Sequence, residues 1–248
     1  MRSHIFAVLA MTSDLDPTLE IRSFGRRRAR KTTARQQKLI DSLLPACRLD
    51  ISEPLSKAPT SLFASDITEV WLEIGFGGGE HLIWQASQNP HVGFIGCEPF
   101  IDGTIKVLDA IETQNLNNIR LYDDDARHVL RWLPSACLSR VFVLFPDPWP
   151  KKRHNKRRLL NSLTLNQLAN AMSDGAFLRV GTDIGDYART MLLAFQQVEN
   201  FVWTAQQPAD WRIRPADWPE TRYERKAKRA GRTCYYFSFE RISRRKAK

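Results

Sequence analysis

The sequence predicts an α/β fold, a mostly parallel sheet with helices on both faces and a terminal antiparallel strand. Three observations predict it. From Glu69 to Gln197, short apolar runs alternate with stretches whose apolar residues recur at helical spacing. The runs have strand length and are closed by glycines or acids. No internal repeat or low-complexity linker breaks the series, and 43% of the 248 residues are hydrophobic, enough for a substantial core.

Taken in order, residues 1–65 are polar, proline-rich and weakly periodic. They read as a flexible basic arm with one short helix near Arg35–Leu44, ahead of a folded domain over 66–248 that ends in a basic tail. Glu69–Ile74 is short, apolar and ended by glycines, the pattern of a buried strand. A helix is expected over Gly79–Gln88 and a second strand over Val92–Cys97. Phe100–Leu116 places Ile101, Ile105, Leu108 and Ile111 at helical spacing. A third strand, Ile119–Tyr122, precedes a helix over Ala126–Leu133. Val141–Phe145 is the fourth strand, Arg158–Met172 the next helix, Ala176–Val180 the fifth strand and Tyr187–Gln197 its following helix. Phe201–Thr204 and Tyr235–Phe239 supply a terminal antiparallel pair.

Composition narrows the function classes. No apolar run approaches the ~20 residues of a membrane span, so no membrane association is expected. The mildly apolar start, Ile5–Met11, is followed by no clear small-x-small cleavage site and reads as an unstructured leader rather than a signal peptide. Cys47, Cys97, Cys137 and Cys234 are scattered, without metal-ligand spacing or disulfide density. That fits a reducing cytoplasm and argues against a zinc site. The net charge is +10, unevenly spread. Residues 22–38 carry eight Lys/Arg, residues 151–158 carry six, and residues 222–248 carry eleven against Glu224 and Glu240. These segments together hold +23, leaving −13 on the rest of the chain. One such run alone reads as a solvated tail; three on an acidic body are the footprint of a nucleic-acid binder.

Ligands of parallel α/β sheets sit beyond the carboxyl ends of the strands. The first strand runs into Glu73-Ile74-Gly75-Phe76-Gly77-Gly78-Gly79, where Gly75 and Gly77 permit a tight turn and close approach to a ligand. Glu98, after the second strand, can accept hydrogen bonds from ribose hydroxyls. Asp125, after the third, serves a nucleoside, the N-cap of the helix starting at Ala126, or both. A nicotinamide dinucleotide and S-adenosylmethionine both suit the loop. Glu73, Glu98, Asp123–Asp125, Asp147 and Asp183 crowd the strand ends; that ring suits a cationic cofactor and repels a pyrophosphate.

The most specific stretch is Phe145-Pro146-Asp147-Pro148-Trp149-Pro150, followed by six cations in the eight residues 151–158. With Glu-Ile-Gly-Phe-Gly-x-Gly at 73–79, Gly-Thr-Asp at 181–183, Thr-Arg-Tyr-Glu at 221–224 and the basic segment at 22–27, it closely resembles the bacterial tRNA (guanine-N7)-methyltransferases. The resemblance covers roughly residues 20–240; residues 1–19 match nothing in it. It implies a class I methyltransferase (Rossmann-like) fold. It also implies S-adenosyl-L-methionine as methyl donor, S-adenosyl-L-homocysteine as product, no metal, and methylation of guanine N7 at position 46 of the tRNA variable loop. By position in the motifs, Glu73, Gly75, Gly77, Glu98, Asp125 and Asp147 resemble cofactor contacts. Lys151, Asp183, Thr221, Arg222, Tyr223 and Glu224 resemble substrate contacts. Arg153, His154, Asn155, Lys156, Arg157 and Arg158 resemble the RNA-facing strip, and Asp147 the catalytic residue.

The chemistry agrees with that set. Guanine N7 has a free lone pair and a sulfonium methyl is already activated, so alignment dominates. A carboxylate near the base can stabilise charge developing on the purine and accept from guanine N1–H and N2–H₂; Asp147, Asp183 and Glu224 are the candidates. Asp147 is expected to orient base and cofactor, not to remove a proton. Lys151 to Arg158 is expected to face phosphates, which position RNA without reading its sequence. Between Trp203 and Trp218 the aromatics suit base stacking or core packing, and His81, His128 and His154 show no ligand spacing. The alternative is a non-catalytic RNA-binding protein on a methyltransferase scaffold, against which Glu98 and Asp147 speak. No obligatory protein partner is expected, and a monomer or weak homodimer is.

Overall fold

The computed structural model of the chain describes Arg27 and residues 31–243. Among these residues one sheet comprises β1 (Glu69–Ile74), β2 (Val92–Cys97), β3 (Ile119–Tyr122), β4 (Leu138–Leu144), β5 (Met172–Thr182), β6 (Phe201–Trp203) and β7 (Tyr235–Arg241). Its order is β3-β2-β1-β4-β5-β7-β6. The first five are mutually parallel, and β7 runs antiparallel between β5 and β6. The order reverses between β1 and β4, which opens a crevice at their carboxyl ends.

The helices are α1 (Ala34–Ser42), α2 (Leu44–Cys47), α3 (Glu80–Gln88), α4 (Ile101–Gln114), α5 (Ala126–Trp132), α6 (Ser162–Ala171), α7 (Gly185–Gln196), α8 (Ala209–Arg212) and α9 (Arg222–Arg229). Alternate strand residues face opposite sides of a sheet. Val70, Leu72 and Ile74 join one core with residues of α5, α6 and α7, whereas Trp71, Phe94 and Phe142 join another with Leu82 of α3 and Leu108 of α4. Side-chain caps set several helix starts. Asp125 accepts from Arg127 N–H, Asn161 from Thr164 N–H, and Thr221 from Glu224 N–H.

The core strands fall where the apolar runs place them, and four departures have physical causes. Arg158 does not open a helix: residues Lys152–Arg157 wind as a 3-10 turn, and the Asn161 cap starts α6 at Ser162. Strands β4 and β5 begin earlier than expected, at Leu138 and Met172, which pair across a register irregularity. Helix α9 turns only Glu224 and Ala227 inward, so its charged sequence carries no apolar period. Finally, the arm is not flexible throughout. Leu39, Leu44, Cys47 and Leu49 are buried, and Leu49 N–H donates to Leu121 O beside the edge strand β3. The expected leader and most of the basic run before residue 31 lie outside the described residues. No helix among the described residues is long and apolar enough to cross a membrane.

Gly103 in the first turn of α4 lies against the glycine loop: a Cβ there would sit 1.9 Å from Gly77 O, a backbone atom. Gly103→Ala is expected to destabilise the fold by about 1–3 kcal/mol through overpacking, read as a lower urea midpoint with unchanged slope. An unchanged midpoint would show that loop and helix separate freely.

Candidate active site

The crevice at the β1/β4 switch point widens into a cavity of about 910 Å³, lined by the glycine loop, Glu98, Asp125, Asp147, Trp149 and Tyr223 among others. Gly75 (φ +74°) and Gly77 (φ +55°) take left-handed conformations that side chains resist. Gly77 N–H donates to Glu98 Oε2 at 2.8 Å, and Phe100 N–H to Glu98 Oε1 at 3.0 Å. One carboxylate thus joins the β1 loop to the entry of α4. Burial raises the Glu98 pKa against the lowering by these two bonds, and the negative charges of Asp147 and Glu73 raise it further. For Asp125, burial also pushes upward, but Arg127 wins: its N–H, its Nε at 2.9 Å and its Nη2 at 2.6 Å hold the carboxyl below its ordinary value.

The segment after β4 is strained. Phe145 N–H donates to Gly181 O at 2.7 Å, while Phe145 (φ +52°) and Trp149 (φ +43°) sit in the left-handed region. Such conformations cost about 1–3 kcal/mol each and persist only where the surroundings impose them. Pro146 and Pro148 lock the backbone on either side of Asp147. The Asp147 side chain is exposed in the open mouth of the cavity, and protein crowding around its other sides raises its pKa. Arg157 places its guanidinium 4.9 Å from the Trp149 ring centre, and His154 packs edge-on to the same ring. Lys151, Lys152, Arg153 and Lys156 are exposed just beyond. On α9, Arg222, Arg225, Lys226 and Arg229 are exposed, and Arg222 and Tyr223 reach the cavity.

A family model described as "Putative methyltransferase" matches residues 68–237. The chain is 47% identical to a tRNA (guanine-N(7)-)-methyltransferase of Rhodospirillum rubrum, over 92% of this chain and 91% of that protein. It is 44% identical to one of Rhizobium meliloti, over 88% and 94% respectively. This chain belongs to the tRNA (guanine-N7)-methyltransferase family. Among solved structures, the 16S rRNA methyltransferase KamB aligns with a TM-score of 0.52 at 17% identity, covering 77% of this chain and 96% of that one; the likeness is one of fold, the class I methyltransferase sheet.

In and around this cavity the expected residues separate into groups. Gly75, Gly77, Glu98, Asp125 and Asp147 share the main cavity with Arg157, Arg222 and Tyr223. Glu73 does not line it. The strand period turns it to the α3 side, where it is 3% exposed and bonds His81 Nδ1 at 2.7 Å beside a narrow adjoining recess. Asp183 bonds Arg232 Nε at 2.6 Å. Thr221 caps α9, and Glu224 is buried against Arg214 Nε and Lys228 Nζ at 3.1 and 2.9 Å. Arg158, expected on the exposed strip with Arg153, His154, Asn155 and Lys156, is 2% exposed and turned inward. Trp218 is core, as the packing expectation has it, and the partly exposed Trp203 lies against Trp211 and Phe237. Lys31, Thr32 and Gln36 line the cavity without having been singled out. The sequence marks only the helix start there, through the Thr33–Gln36 capping box; that these residues face the cavity follows from the fold.

The raised Asp147 carboxyl has a stability consequence of definite sign. The folded state binds its proton more tightly than the unfolded state, so stability falls as pH rises from the ordinary carboxylate value near ~3.9 through the raised one. Asp147→Asn is therefore expected to raise the thermal midpoint at pH 7–8 and to leave it unchanged near pH 3, by scanning calorimetry. Equal midpoints at both pH values would remove the crowding account.

Proposed function

We propose that this chain transfers the methyl group of S-adenosyl-L-methionine to N7 of guanine 46 in the tRNA variable loop, in the cytoplasm. The observation that carries the reading is the position of Asp147, in a cavity shared with Glu98 and Asp125 and between two flanking basic surfaces. The names of the relatives support the tRNA guanine-N7 activity, and the motif resemblance supports position 46.

The pocket residues fit the cofactor. A carboxylate has about four lone-pair sites, so Glu98, with one backbone donor on each oxygen, can still accept from ribose hydroxyls. Asp125 is held charged at the neighbouring strand end. The glycine loop leaves open space at Gly75, where a Cβ would meet nothing within 4 Å. The donor supplies an activated sulfonium methyl; the protein supplies alignment and field. Asp147 accepts from the guanine N1–H and N2–H₂ edge and stabilises positive charge as it develops on the purine. Adenine lacks that donor pair, so the same carboxylate discriminates between bases. Outside the pocket, the exposed cations of 151–156 and α9 hold the phosphates on its two sides. Asp183 and Glu224 act on the substrate side by holding Arg232, Arg214 and Lys228 in place.

With radiolabelled S-adenosylmethionine and tRNA lacking the modification, label transfer followed by borohydride–aniline scission at the variable loop is expected. Absence of transfer would end the reading, and label without scission would end the N7 assignment. Asp147→Asn is expected to lower kcat about a hundredfold, the scale of a lost alignment. In the parent, kcat/KM for the cofactor, which reports the free enzyme, should fall with acid through an apparent pKa above the ordinary carboxylate range, because the charged form is the working one and its pKa is raised before the cation binds. An acid limb at or below the ordinary value would exclude Asp147 as its source.

A further inference from the structure

Six cations follow Asp147 in sequence, but the structure does not use them alike. Lys151, Lys152, Arg153 and Lys156 are exposed and Arg157 is half-buried. Arg158 is 2% exposed, in a place where a guanidinium must find partners for its rigid fork of donors. It finds three. Nε donates to Pro148 O at 2.9 Å, Nη1 to Thr190 Oγ1 at 2.6 Å, and Nη2 to Asp186 Oδ2 at 2.5 Å. The guanidinium carbon lies 4.9 Å from the centre of the buried Tyr187 ring, whose hydroxyl accepts from Leu160 N–H at 3.3 Å. Thr190 Oγ1 in turn donates to Asp186 O, so all three α7 groups belong to one rigid turn of helix.

Pro148 is the residue between Asp147 and Trp149. Its carbonyl is thus tied to α7 through the Arg158 side chain, at the far end of a segment bounded by two bulky residues at positive φ. A strained segment reverts unless its surroundings over-determine it. Phe145 is fixed by its bond to Gly181 O on the sheet side. Arg158 fixes the other end.

We propose that Arg158 is a positioning residue for Asp147 and makes no phosphate contact with the RNA. It rests on the reading that Asp147 is the working carboxylate. The role requires directional donors, not charge alone: a lysine ammonium keeps the charge but cannot reproduce the planar fork that reaches Pro148 O, Thr190 and Asp186 together. A phosphate contact would tolerate that exchange far better.

The test compares Arg158→Lys with Arg153→Ala in the full-length protein. Arg158→Lys is expected to lower kcat for tRNA methylation by about ten- to a hundredfold, the scale of a misplaced catalytic group. KM for tRNA and the salt dependence of tRNA binding should stay as in the parent. Arg153→Ala is expected to weaken tRNA binding and to reduce the salt slope by about one. Thr190→Val, which removes one acceptor and leaves the rest, should lower kcat in the same direction by less, and it carries the test if Arg158→Lys does not fold. Independently of activity, amide hydrogen exchange of a peptide spanning 145–158 should quicken in both variants while that of β4 does not change. A shallower salt slope or raised KM in Arg158→Lys with kcat intact would overturn the proposal, as would unchanged exchange over 145–158. Failure of the parent to methylate tRNA would strike the proposed activity and leave the exchange result to decide the anchoring.

Discussion

One carboxylate, Glu98, joins the parts on which the site depends. Its two oxygens take the N–H of Gly77 and the N–H of Phe100, so the β1 loop and the start of α4 are set against each other through a single side chain. The contact behind it leaves no room for a methyl group at Gly103. With loop and helix fixed, the acids at the strand ends acquire fixed separations, and their mutual field follows. Glu98 feels both Asp147 and Glu73. Burial and the charges of Asp147 and Glu73 disfavour the charged form of Glu98, a cost that a positively charged ligand beside it relieves.

The polar networks around this centre point outward from it. Asp125 is both N-cap and partner of Arg127, so its charge is secured by the helix it starts. Tyr223 packs over Gly77, with its ring 3.0 Å from where a Cβ would stand, and α9 is held behind it by the buried Glu224. The same short helix therefore closes the pocket and presents cations to solvent. On the other side, the strained Asp147 segment passes directly into the basic 3-10 turn. Cavity wall and exposed basic surface are successive parts of the same two segments.

Much of this was legible in the sequence because it is local. The apolar runs located β1 to β5, the glycines marked the loop, and the proline-flanked Asp147 marked the strained strand end. Other features depended on what lies opposite. Glu73 follows the strand period to the α3 side, and only the fold reveals His81 waiting there. Arg158 reads as one more cation in a run; its burial is decided by Thr190 and Asp186 on α7, some thirty residues further along. Helix α9 was hidden because its inward residues are a glutamate and an alanine, which carry no hydrophobic signal. The packing of α1 against α4 and of residues 47–49 beside β3 was masked by proline and polar composition, although the Thr33–Gln36 capping box marks the start of α1.

The central claim is that Glu98 and Asp147, at the switch point, present a field suited to a cationic cofactor. Calorimetric titration with S-adenosylmethionine at mildly acidic pH, in two buffers of different ionisation enthalpy, measures the protons exchanged on binding. Because burial raises Glu98 and Asp147 and a bound cation lowers them, the account predicts proton release that grows as pH falls toward their raised values and disappears in the Glu98→Gln, Asp147→Asn double variant. Proton uptake, or binding with no exchange across that range, would contradict it.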